Sequence, residues 1–108
     1  MAGNTRITNA SFQAIVQLGA AHTQRTVADT AVALKDHTVS TSTTHVLVQF
    51  NNADIRVTFD GTTPTTTKGF LYRDGATAYW PVQLYNGAKG VRTAATSVVL
   101  EVQELNSV

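Results

Sequence analysis

Three histidines, His22, His37 and His45, and seven acidic residues are the side chains of this 108-residue chain best suited to binding a metal or moving a proton near neutral pH. Their spacing does not assemble them. No histidine has a second one four residues away, the spacing that puts two ligands on one helical face. Asp36 and His37 are adjacent, and neighbours on a strand point to opposite faces, so Asp36 is badly placed to orient His37 as a metal ligand. A Ser-His-Asp triad assembles in space and cannot be read from spacing, but no Gly-x-Ser-x-Gly elbow occurs and the serines fall in polar linkers or at strand starts. The acidic residues are spread along the chain, which gives a paired-carboxylate glycosidase little material. The chain has no cysteine, which excludes disulfides and thiolate metal sites and fits a reducing compartment. No catalytic, cofactor-binding or metal residue is assigned, no cofactor is expected, and the expected protein is not an enzyme.

Two glycine-containing stretches, Gly87-Ala-Lys-Gly90 and Asp60-Gly-Thr-Thr63, have the look of phosphate loops. Neither precedes a helical pattern or completes a phosphate-binding motif, and turn chemistry explains both. The aromatic cluster is richer. Phe70, Tyr72, Tyr79, Trp80 and Tyr85 lie close together in sequence. Three readings compete. Phe70 and Trp80 can be core with the tyrosines at a wet rim. Tyr72, Tyr79, Trp80 and Tyr85 can anchor a protein interface, or they can form a platform on which a sugar stacks. Arg73-Asp74-Gly75 is not the Arg-Gly-Asp adhesion order.

The elements that must hold these residues read as strands. Threonine occurs eighteen times; it is stiff at χ1, suits a pleated surface and keeps an exposed face wettable without charge. Residues 11–18 read as a first strand broken at Gly19-Ala20-Ala21. Residues 26–34 fit helix and strand spacing alike, and their shortness and β-branching favour a strand. Val46, Val48 and Phe50, then Ile55, Val57 and Phe59, alternate around Asn51-Asn52 as a hairpin. Residues 69–73 and 77–85 give two more strands around Asp74-Gly75. Residues 89–93 and 97–105 give the last two, with Val98, Leu100 and Val102 inward and Glu101 and Gln103 outward. Asp60-Gly61, Asp74-Gly75 and Asn86-Gly87 supply the positive-φ positions of tight turns, and Pro64 marks a connection that cannot sit in a central ladder. The expected fold is all-β, a single antiparallel β-sandwich or jelly-roll-like domain of about eight short strands over 10–108, behind a short N-terminal arm, 1–9.

Composition narrows the partners. The net charge is +1, and only 14% of residues are charged, against ~25% in an average domain. Lysines and arginines are scattered singly, so a phosphate-tracking nucleic-acid surface is not expected. No apolar run approaches the ~20 residues of a membrane span and no signal-peptide core is present, so no membrane contact is expected. The low charge agrees with a surface partly covered by protein.

The stretch Asp54-Ile-Arg-Val-Thr-Phe-Asp-Gly-Thr-Thr-Pro-Thr-Thr-Thr-Lys-Gly-Phe-Leu-Tyr-Arg-Asp-Gly75, with the closing Ser97-Val-Val-Leu-Glu-Val-Gln-Glu-Leu105, resembles small β-sandwich structural proteins of tailed bacteriophage virions. The resemblance spans about half of the chain, from Val46 to Leu105. It implies a capsid-associated cement or decoration protein, made in the host cytoplasm and carried on the capsid surface. It further implies a homo-oligomer, a trimer at threefold positions, that contacts the major capsid protein or other virion proteins. A head-completion, head–tail or tail-associated role is the neighbouring alternative, and a carbohydrate-binding module is a more distant one. The matching positions read as architecture: Asp60 and Gly61 build a turn, Pro64 stiffens the connection and Gly69 relieves a bend.

Overall fold

Alternating side chains set the fold in the computed structural model, which describes residues 17–106. Val46, Val48 and Phe50 of β3 (Thr43–Asn51) are fully buried, while Leu47 and Gln49 between them are exposed. Successive residues of a strand face opposite ways, so this pattern makes a sheet with one dry and one wet face. Val98, Leu100 and Val102 of β8 (Val98–Asn106) repeat it. Ile55 and Val57 of β4 (Ile55–Thr58) do so from the other side of the core. The other strands are β1 (Gln17–Val27), β2 (Val32–Ala33), β5 (Phe70–Tyr72), β6 (Thr77–Pro81) and β7 (Lys89–Arg92). One short helix, α1 (Val82–Gly87), lies between β6 and β7.

Hydrogen bonding sorts these eight strands into two four-stranded antiparallel sheets, ordered β1-β8-β3-β6 and β2-β7-β4-β5. The pairing is nested: β1 with β8, β2 with β7, β3 with β6, and β4 with β5. The chain is therefore one long antiparallel ribbon doubled back at the loop 59–69. Pairing of β8 with β3 and of β7 with β4 rolls the ribbon up. The dry faces meet over a core that includes Val27, Leu34, Phe50, Ile55, Trp80, Tyr85 and Leu100. An all-β domain of two packed sheets is thus what the alternation builds.

Several local expectations are corrected. The segments 46–50 and 55–59 do not form a hairpin, because β3 and β4 belong to different sheets. A short turn between two alternating segments looks the same in sequence whether the strands pair or turn a corner. Here Asn52, at φ 80°, turns a corner. The same holds at Asp74-Gly75, where β5 passes to β6 in the other sheet. These two corners are stitched together. Asn52 N donates to Asp74 Oδ1 (2.9 Å), Asp74 N to Asp54 Oδ1 (2.8 Å), and Arg73 Nη1 to Asp54 Oδ2 (3.2 Å). Asn86-Gly87 is not a strand-reversing turn but the end of α1, and the strand expected over 77–85 stops at Pro81. Gly19-Ala20-Ala21 does not end the first strand; β1 runs through it with a shifted register between Leu18 and His22. Of residues 26–34 only Thr26 and Val27, closing β1, and the two residues of β2 are strand. The expected arm, 1–9, and the start of the expected first strand, 11–16, lie outside the described residues.

The loop 59–69 folds back over the outer face of β4. Asp60 Oδ1 accepts from Thr62 N (3.0 Å), which closes the expected turn at Asp60-Gly61, and Pro64 is buried. Gly69 sits at φ 122°, and a Cβ there would stand 3.1 Å from both Val57 N and Val57 O, so the bend does need glycine. Gly87 is required for another reason. A Cβ on it would lie 2.6 Å from the Phe59 carbonyl oxygen, where α1 presses on the end of β4. Gly87→Ala is expected to destabilise the domain by about 1–3 kcal/mol, the usual cost of overpacking, read as a lowered urea midpoint.

Candidate functional site

The deepest ionisable cluster is at one end of the sandwich. Glu104 of β8 is 1% exposed, because the alternation Val98, Leu100, Val102 carries one step further and turns a carboxylate inward. Its Oε1 accepts from Thr43 Oγ1 (2.7 Å) and Ser40 N (3.2 Å), and its Oε2 meets His37 Nε2 at 3.1 Å. The opposite ring nitrogen of His37 meets Asp36 Oδ1 at 3.3 Å. Asp36 and His37 do touch: residues 34–42 form a connection, so the opposite-face rule for strand neighbours does not apply to them. Asp36 also pairs with Arg25 (3.3 Å). Tyr85 closes the cluster, its ring centroid 6.2 Å from that of His37.

The electrostatics follow from these contacts. Burial alone would raise the Glu104 pKa, but the bonds from Thr43, Ser40 and His37 outweigh it and hold the carboxyl below its ordinary 4.5. Asp36 is likewise held low against burial by His37 and Arg25. Tyr85 goes the other way. Burial first, then the Asp36 and Glu104 charges, push its phenol up to about 12. Its hydroxyl has no hydrogen-bond partner; Thr23 acts on it weakly but does not meet bonding geometry. The carboxylates lie on either side of the imidazole in a line, each already bonded, and tie the 34–42 connection to β8. No three of the described His, Asp and Glu side chains converge on a common point where a metal would sit.

A second network lies on the wet face of β1 and β8. Gln103 Nε2 donates to two backbone carbonyls, Ala21 O (3.2 Å) and Glu104 O (3.0 Å), which fixes its oxygen toward His22 Nδ1 (3.2 Å). His22 Nε2 faces Glu101 Oε1 at 2.8 Å, and Gln24 donates to the other Glu101 oxygen. Amide and carboxylate oxygens only accept, so this arrangement favours the His22 ring that carries hydrogen on both nitrogens. The Glu101 bond raises its pKa above 6.5, against a small opposing effect of burial, with Gln103 and the Glu101 charge adding to the rise. Glu101 is lowered by Gln24 and then by His22.

The aromatic residues form a ladder rather than a platform. Phe70 meets Phe59 (5.9 Å), Phe59 meets Trp80 edge-on (5.2 Å), and Trp80 meets Tyr72 (5.8 Å) and Phe50 (6.0 Å). Trp80 is 5% exposed and Tyr85 fully buried, so neither offers the surface expected of it, while Tyr72 is half-buried against Phe50. Tyr79 is exposed and stacks flat on His45 at 5.0 Å. Phe70, placed in the core on one reading of the sequence, is 67% exposed. Beside it Thr58, Phe59, Asp60, Thr62, Lys68 and Gly69 line an open cleft of about 460 Å³. The chemically distinctive features of the described surface are thus this cleft and its edge strand, together with the latched wet face.

Comparison with protein-family models, curated proteins and solved structures finds no match to this chain.

Two pH effects of opposite sign follow. Glu104 has a lowered folded pKa, so its stabilisation is present above 4.5 and is lost as pH falls through the folded value. Glu104→Gln should therefore flatten the acid limb of the stability–pH curve, and Glu104→Ala should cost about 3 kcal/mol at neutral pH in urea unfolding. His22 has a raised folded pKa, so its contribution is whole below 6.5 and is lost as pH rises through the folded value. His22→Ala should remove that decline; an unchanged alkaline slope would show the latch to be energetically silent.

Proposed function

We propose that this chain is a non-enzymatic structural protein of a bacteriophage virion. It acts as a capsid cement or decoration protein that assembles as a homo-oligomer around threefold positions and contacts the major capsid protein on the outer surface of the head. The observation that carries the reading is the strand order. The nesting of β1 on β8, β2 on β7, β3 on β6 and β4 on β5, rolled into two sheets, supports reading the domain as the double Greek key of a jelly roll, an architecture common among viral shell proteins. The likeness of Asp54–Gly75 to phage structural proteins supports the same reading, and that stretch supplies the stitched corners and the loop 59–69. The low charge of the chain, 14%, fits a surface that spends its working life against other proteins.

The protein acts, on this reading, by bridging shell subunits with preformed surfaces, which needs rigid sheets more than reactive groups. Purified protein should co-sediment with heads that lack it, saturate at hundreds of copies per particle and raise the temperature at which those heads rupture. Absence of binding would overturn the reading. Binding at only a few copies per particle would move the protein to the connector or tail.

A further inference from the structure

Among the described residues the two sheets have four edge strands, β1, β6, β2 and β5. An unpaired edge presents backbone N–H and C=O groups that template association unless it is guarded. Three are guarded. β1 is irregular and polar, with His22 and Gln24 tied to β8. β6 ends on Pro81, and β2 is only two residues long. β5 has no proline, lysine or bulge, and it carries Phe70, 67% exposed, and Leu71, 36% exposed. The other large exposed apolar side chains, Leu47, Tyr79 and Leu84, lie on β3, β6 and α1; among the described residues none lies on β1, β2, β7 or β8, so β5 is the one edge strand of its sheet that carries them.

We infer that β5 pairs antiparallel with β5 of a second copy about a twofold axis through Leu71, joining the two four-stranded sheets into one. The inference rests on the oligomeric part of the proposed function and gives it a contact; between threefold groups it would link neighbouring groups in pairs. Charge chooses the occupant. Lys68 precedes β5, and Arg73 and Asp74 follow it, all three exposed. A pairing centred on Leu71 sets Phe70 against the partner's Tyr72 and brings Lys68 toward the partner's Asp74, twice by symmetry. The partner's Arg73, paired with its own Asp54 but 75% exposed in its side chain, then falls opposite Gly69 in the cleft lining. A strand of another protein would need the same order of charges; this chain already has it. The aromatic ladder that ends at Phe70 would continue across the contact.

The absence of native cysteine makes the test clean. Leu71 would face its own copy, with Cβ atoms about 4.5–5.5 Å apart, close to disulfide range. Leu71→Cys in the full chain, under mild oxidation, should give mostly covalent dimer on a non-reducing gel, whereas Thr96→Cys in the exposed β7–β8 connection should stay monomeric. Adding Lys68→Asp to Leu71→Cys should slow the cross-linking several-fold by setting like charges together. Equal cross-linking at positions 71 and 96, or none at 71, would overturn the twofold contact. That result would leave binding to heads, measured separately, unaffected.

Discussion

The rest of the domain depends on β8 being paired from both sides. It bonds to β1 along one edge and to β3 along the other, and its inward residues Val98, Leu100 and Val102 supply the middle of the core. Its outward residues Glu101 and Gln103 hold His22, and its last inward position, Glu104, holds the 34–42 connection. A strand placed at the end of the chain thus closes contacts with segments some eighty residues earlier. Such pairing is non-local, so loop-closure entropy must be overcome before most native contacts form, and a domain of this kind folds more slowly than a helical one of equal size.

Alternation made the strands legible and could not say which strands were neighbours. Val46, Val48, Phe50, Ile55 and Val57 alternate at period two and are buried, while Phe59, in the same series, is half-buried. Whether β3 and β4 pair or face each other depends on the corner at Asn52 and on its bond to Asp74, twenty-two residues away, which no local pattern encodes. The same limit explains Asn86-Gly87. The pair is as good a helix end as a turn, and the close approach of Gly87 to Phe59 is a tertiary fact. Residue spacing did hold one unused signal. The series Val98, Leu100, Val102 points to Glu104 as the next inward residue, and a carboxylate in that phase needs a partner. Finding that the partner is His37 required the fold.

The two ends of the charge distribution serve different purposes. Glu104 is buried with its oxygens filled by Thr43, Ser40 and His37, so its charge fixes a connection and leaves nothing for a ligand. On the wet face, His22 and Glu101 fasten the outermost strand β1 to β8 through their side chains. In both networks the charged groups are bonded within the chain, while the buried Tyr85 hydroxyl beside Glu104 has no partner.

Against that background the bare edge at β5 is informative by contrast. A chain with 14% charged residues has few charges to spare for guarding edges, yet β1 is fastened and β6 is ended on proline. Leaving β5 open with Phe70 exposed beside it runs against the economy shown elsewhere on the surface. An edge of three residues is too short to hold a partner by backbone bonds alone, since each contributes only about 0.5–1.5 kcal/mol net. In the proposed pairing the apolar area of Phe70 and Leu71 and the charges at Lys68 and Asp74 must therefore act with it, and all of them belong to the one stretch, Asp54 to Gly75.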